Sequence, residues 1–181
     1  PARFTGYSHH QLQNKQFRQY RVNNNSIFGW TICISLLDEQ KILIPCQLIY
    51  LSYPRRKTEP LLYPPISTGA AGGSCLSAAI VRGIHEVLER DAFMIYYLNR
   101  IPAPRIDLKN FRDERIQKIL QIATRYKLEI ISLDITTDLP VPVVATVVIN
   151  KTGVGKALSV GLKSDLNPTG AIIGSCCEAL H

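Results

Sequence analysis

Apolar positions along the chain alternate between two spacings. Gly29 to Leu37 (GWTICISLL) is dense in β-branched and aromatic residues and predicts a strand, with Asp38–Lys41 turning it back. Ile42 to Ile44 predicts the returning strand, interrupted at Pro45 and resumed over Gln47–Leu51. Beyond Ser74 the spacing becomes helical. At about 100° per residue, Ile80, Ile84, Val87, Leu88, Ile95 and Leu98 share one broad face, the expected core face. Cys75, Ala78, Arg82, Glu86, Glu89 and Phe93 share the opposite one. Ile101 to Asp107 carries two prolines and is expected to be extended. Phe111 to Tyr126, with Ile116, Ile119, Leu120 and Ala123 in register, predicts an amphipathic helix. Leu128–Asp134 and Val143–Ile149 predict strands. Thr152-Gly153-Val154-Gly155 turns the second back into Ala157–Leu162, and a last helix starts near Thr169 behind Asn167-Pro168. The order of elements predicts an α/β (α+β) layered domain, with a mixed or antiparallel sheet and packed helices. The polar, Gln- and Asn-rich stretch 1–26 is expected to be irregular, leaving 27–181 as the domain.

Composition narrows the classes. At 181 residues the chain suits one domain with a real core, and 46% hydrophobic residues exclude a disordered chain. No apolar run reaches the length of a membrane span and no secretory signal opens the sequence, so the expected location is cytoplasmic. Cys33, Cys46, Cys75, Cys176 and Cys177 form no C-x-x-C pair and no His-spaced zinc set. The adjacent His9 and His10 read as an incidental pair rather than a metal site. The net charge of +7 is scattered, with no basic run interleaved with aromatics, so nucleic acid is not expected as a partner. The same charge suits ATP or an acidic peptide.

The candidate chemistry lies between Ser67 and Arg100. A glycine-rich loop, Ser67 to Ser74 (STGAAGGS), enters the long helix, and Ser74 is placed to cap its first turn. Such a loop brings backbone N–H groups close to phosphates. Glu86 and Glu89, three residues apart and therefore neighbours, are the types that hold a nucleotide's Mg²⁺. The loop is neither a Walker P-loop nor a G-x-G-x-x-G turn. Spacing alone also allows a solvated ladder of Arg82, Glu86 and Arg90 at i,i+4. The segment Ala79-Ile80-Val81-x4-Glu86-Val87-Leu88-Glu89 is echoed by Ala171-Ile172-Ile173-x4-Glu178-Ala179-Leu180-His181, which adds Glu178 to the carboxylates of interest.

Several of these residues carry a resemblance. Ser67-Thr68-Gly69-Ala70-Ala71, Gly73, Ala79, the block Glu86 to Ala92, Leu98-Asn99-Arg100, Pro102 and Ile106-Asp107 closely resemble the YcaO domain family. The resemblance is specific over about 63–107 and looser elsewhere. It implies a YcaO-like fold of which this chain is a part, and ATP and Mg²⁺ as cofactors. It implies activation of a peptide backbone amide, with attack by a neighbouring Cys, Ser or Thr side chain and loss of phosphate, giving thiazoline or oxazoline. Thioamide formation and a non-catalytic accessory module are the alternative readings. Under the resemblance, Ser74, Glu86, Glu89 and Arg90 would face the nucleotide, and Glu86, Glu89 and Glu178 would hold the metal. No residue is assigned as the proton-transfer base. A precursor peptide would be the substrate, as in bacteriocin biosynthesis, with a leader-peptide-binding protein as a further partner. Two positions depart from the family: Ala78 stands where Glu is common, and His181 where Gln is usual.

Overall fold

The computed structural model describes residues 6–181. The chain divides into two compact units, 1–67 and 68–181.

In the first unit the segment read as irregular carries helix α1 (His9–Gln13) and a 3-10 turn over Lys15–Tyr20. Pro1–Thr5 of that segment lie outside the described residues. A capping box explains the helix: the Ser8 hydroxyl accepts from Gln11 N–H, and the Gln11 side chain accepts from Ser8 N–H. Strands β1 (Trp30–Ile34) and β2 (Lys41–Pro45) form the predicted antiparallel hairpin, with Ile32 opposite Leu43. The expected continuation over Gln47–Leu51 is not a strand. Ile49 and Tyr50 N–H both turn back onto the Cys46 carbonyl. The Gln47 side chain folds inward, donating to Glu59 and to the Pro60 carbonyl, both at 2.8 Å, and accepting from Leu62 N–H at 3.1 Å. Glu59, 2% exposed, also accepts from Gly29 N–H and the Tyr53 hydroxyl. A buried carboxylate needs such partners, and supplying them bends the backbone out of extended form.

The second unit is a four-stranded antiparallel sheet in the order β3 (Arg105–Ile106), β4 (Leu128–Asp134), β5 (Val143–Asn150), β6 (Leu158–Ser164). The helices are α2 (Leu76–Asn99), α3 (Glu114–Arg125) and α4 (Pro168–Leu180). Side chains alternate along a strand, so neighbouring residues serve opposite faces. Val144 packs with Ile116, Ile119, Ala171, Ile172 and Cys176 of α3 and α4. Val143 and Ala145 pack with Ala92, Phe93 and Tyr96 of α2. The sheet is thus layered between α2 on one face and α3 with α4 on the other. Asp113 caps α3 by accepting from Arg115 N–H at 2.9 Å, and Asn167 caps α4, with Pro168 at the first helical position. Inside the α4 layer, the Ser132, Thr146 and Ser175 hydroxyls form a buried chain with 2.8 Å links. Each such bond contributes about 1 kcal/mol net and would cost more if one partner were lost.

α2 is turned from the expected orientation and buries neither face cleanly: Ile80, Leu88 and Ile95 of the predicted core face are half-buried, and Cys75 and Arg82 of the opposite face are exposed. Ile84, Val87 and Leu98 of the predicted core face are exposed, whereas Gly83, Glu89 and Ala92 are buried. The inward side is tolerated because its polar groups find partners on β6, and because small Ala92 lets the helix sit close to the sheet.

Candidate functional site

Two helices approach the outer edge of β6 from opposite faces of the sheet. Among the described residues β6 pairs only with β5, so alternate N–H groups along it point away from the sheet. Glu89 of α2 accepts from Ser164 N–H at 2.7 Å through Oε1. Glu178 of α4 accepts from Leu162 N–H at 2.8 Å through Oε2. These amides are two residues apart and roughly 7 Å apart along the strand. The structure therefore brings Glu89 and Glu178 to one strand edge, whereas the echo between the two helices aligned Glu178 with Glu86.

Gly161 makes the approach of α4 possible. A Cβ there would collide with the Ser175 carbonyl and the Ala179 amide, so the strand can lie against the helix backbone only as glycine. Ser164 has a second role: its hydroxyl lies 2.7 Å from His85 Nδ1, so α2 grips this residue through both main chain and side chain. Lys163 Nζ lies 3.3 Å from Glu89 Oε1.

Glu86 is one turn from Glu89 and turns toward the glycine-rich loop. Its Oε2 accepts from Gly69 N–H at 3.2 Å, while Arg82 Nη1 donates to the Gly72 carbonyl at 2.9 Å. The loop is thus strapped to α2 by one anionic and one cationic side chain. Gly69 adopts φ +85°, a conformation that favours glycine, and a Cβ on Gly83 would sit 2.6 Å from the Gly69 carbonyl oxygen. The Arg82–Glu86–Arg90 ladder does not form. Among the described residues the ion pairs are Asp113–Arg115, Glu129–Lys151 and Glu89–Lys163.

Other expected positions lie apart from this cluster. Ser74 is exposed and does not cap α2; the cap position is Cys75, whose side chain makes no capping bond. Cys75 instead lies 3.2 Å from the Ser77 hydroxyl. That contact, followed by the Ala78 N–H, lowers its thiol pKa. Arg90 is exposed on α2. Ala78 has no side-chain oxygen and brings no ligand. His85, Lys163, Ser164 and the amide of Leu162 were not singled out in the sequence, and the Gly69 amide only as part of a phosphate-facing loop. The one available signal was a Lys-Ser pair closing an otherwise apolar strand pattern.

Carboxylates are hard oxygen donors, the type suited to a nucleotide-borne Mg²⁺. Glu86 and Glu178 each spend one oxygen on a backbone N–H, and Glu89 spends one on Ser164 N–H and Lys163, so each has its other oxygen for a hard cation. Among the described residues no group of three or more His, Cys, Asp or Glu side chains is placed to hold a metal by itself. Mg²⁺ commonly needs only one or two carboxylates when phosphates and water complete its shell. Among the described residues, no helix is long and apolar enough to cross a membrane.

Known proteins are similar to this chain in sequence and fold. The chain is 30% identical over 122 residues to an uncharacterized protein in the tfuA 3′ region of Rhizobium leguminosarum bv. trifolii, covering 66% of this chain and 29% of that protein. A heterocyclase solved in complex with substrate and cofactor superposes with a TM-score of 0.84 at 27% identity, covering 96% of this chain and 24% of the heterocyclase. The YcaO protein of Methanopyrus kandleri, solved with AMPPCP and Mg²⁺, shares the fold with a TM-score of 0.66 at 18% identity, over 83% of this chain and 39% of that one. This chain thus spans about a quarter to two-fifths of the length of these proteins. The sequence profile described as "YcaO cyclodehydratase, ATP- and Mg²⁺-binding" matches residues 1–181, and the chain belongs to the YcaO family.

Proposed function

We propose that this chain forms one wall of an ATP- and Mg²⁺-dependent site that activates a peptide backbone amide for cyclodehydration. A Cys, Ser or Thr side chain of a precursor peptide would attack the preceding amide carbonyl carbon. The amide oxygen would take the γ-phosphoryl group of ATP, and loss of phosphate with the amide proton would leave a thiazoline or oxazoline. The observation that carries this reading is the set of three carboxylates, each fixed through one oxygen by a main-chain N–H.

Glu86, Glu89 and Glu178 would hold Mg²⁺, which when bound supplies charge neutralisation for the transferring phosphoryl group. The chain's own residues supply positioning. The Gly69 amide fixes Glu86, and the edge of β6 fixes Glu89 and Glu178, so the carboxylates need little reorganisation. Ser74 and the loop backbone would approach the nucleotide, and exposed Arg90 would reach its phosphates. A precursor peptide, with a leader-peptide-binding protein as further partner, completes the proposed assembly.

Calorimetric titration of Mg-ATP into the full-length protein tests the reading. Binding is expected in the wild type and weaker on the order of tenfold or more in Glu86→Gln and Glu89→Gln, because each loses a charged ligand. No binding by the wild type removes the enzyme reading and leaves an accessory module. Binding unchanged by both substitutions removes the assignment of the carboxylates.

A further inference from the structure

Lys163 is a cation built into the strand edge that holds Glu89 and Glu178. Its side chain leaves β6 on the face that carries α4, since its strand partner Val144 packs on that face. The ammonium nevertheless reaches Glu89, which comes from α2 on the other face. The stem must therefore pass around the edge of the sheet, and α4 is shaped to let it through. A Cβ on Gly174 would meet Lys163 Cγ at 2.5 Å and Cδ at 2.6 Å, so the stem lies in a notch that only glycine leaves open. The side chain is still 41% exposed, whereas that of Glu89 is 12% exposed. The aliphatic stem is seated and the charged head can turn outward.

We propose that Lys163 is a phosphate-contacting residue of the nucleotide site, resting on Glu89 until the nucleotide arrives. This inference rests on the nucleotide reading given above. An ammonium group is a compact point charge that suits a phosphate oxygen, and its three donors can serve a carboxylate and a phosphate in turn. Glu89 Oε1 would keep the Ser164 N–H when the lysine turns, so the carboxylate stays aimed. Divalent cation and lysine would then lie on the same polyphosphate rather than compete for one carboxylate.

The test is equilibrium binding of Mg-ATP, Mg-ADP and AMP to the full-length protein, comparing wild type with Lys163→Met, Lys163→Arg and Gly174→Ala. Lys163→Met is expected to weaken Mg-ATP binding on the order of tenfold, the scale of one charge-assisted phosphate contact, and to leave AMP binding nearly unchanged. Lys163→Arg should retain more affinity than Lys163→Met, since it keeps the charge. Gly174→Ala should follow Lys163→Met in direction by displacing the stem. Equal losses for all three nucleotides would mean that Lys163 supports only the fold of the site, and a loss seen with Mg-ATP but not with metal-free ATP, measured alongside, would mean that it only braces Glu89; either would overturn the proposal. So would binding of Mg-ATP that all three variants leave unchanged. Failure of the wild type to bind Mg-ATP would instead refute the reading on which the proposal stands.

Discussion

Gly83→Ala separates a docked loop from a free one, because the two arrangements predict opposite signs. In a solvated helix interior, replacing glycine by alanine stabilises by about 1 kcal/mol. At position 83 the new methyl would lie 2.6 Å from the Gly69 carbonyl oxygen and 3.9 Å from Ala71 Cβ. Gly69 has little freedom to retreat, since its φ is +85° and its amide is held by Glu86, while Gly72 is held by Arg82. If the loop stays, overpacking costs about 1–3 kcal/mol. If it lifts, two side-chain-to-backbone bonds of about 0.5–1.5 kcal/mol each are lost. Either way the helical gain is offset, and the expected net change is a destabilisation between about 0 and 2 kcal/mol. The sharper readout is local. Hydrogen exchange at the Gly69 amide should accelerate in Gly83→Ala, and also in Glu86→Ala, while amides in the middle of β5 keep their protection. Urea melts of the same proteins give the global term. A Gly83→Ala variant that is more stable by about 1 kcal/mol and keeps the Gly69 amide protected would refute the docking of the loop on α2.

Two further outcomes follow from side chains at helix starts. The Arg115 side chain holds the Asp113 carboxyl at about 2, below its ordinary 3.8. A lowered folded value means that the stabilisation is complete above 3.8 and is lost as pH falls through about 2. Asp113→Asn keeps a capping oxygen but no charge, so its stability deficit against the wild type should be constant near neutral pH and shrink through that acidic window in denaturant titrations. A deficit of the same size at about 2 would rule the explanation out. Among the thiols, Cys75 is exposed and its pKa is lowered chiefly by the Ser77 hydroxyl, whereas burial raises that of Cys176. Limited alkylation read by peptide mass should modify Cys75 before Cys177 and Cys176 last, and Ser77→Ala should slow Cys75.

Elements whose signal is local were legible in the sequence. Leu128–Asp134 is a strand as read, the turn over Thr152–Gly155 is where the pattern put it, and Ile116, Ile119 and Ala123 are buried on α3. The layered α/β class was legible for the same reason. The facing of α2 was not. A helical count ranks faces by polarity, but Glu89 is satisfied by Ser164, 75 residues away, and His85 by the hydroxyl of the same residue, 79 away. No local pattern encodes such partners. The segment after Pro45 failed similarly, since its turn is enforced by Gln47 reaching a buried Glu59. The echo between α2 and α4 drew attention to Glu178 but aligned it with Glu86, so its place on the same strand edge as Glu89 was not legible, and the part of Lys163 depends on the notch at Gly174, which appears only when strand and helix are brought together.

The way the carboxylates of α2 and α4 are held bears on how this protein tolerates mutational drift. Leu162 and Ser164 hold Glu178 and Glu89 through N–H groups, which every residue except proline supplies. Substitution at Leu162 or Ser164 can change the side chain without removing either donor, whereas Gly161 must stay glycine for α4 to remain in place. A change of length acts differently. Successive residues face opposite sides of a strand, so inserting or deleting one residue ahead of Leu162 would put each strand side chain on the other face and carry Gly161 away from the Ser175 carbonyl it must clear. Descendants of this chain can therefore diverge widely in the identity of Leu162 and Ser164 while the count of residues between turn and helix stays fixed.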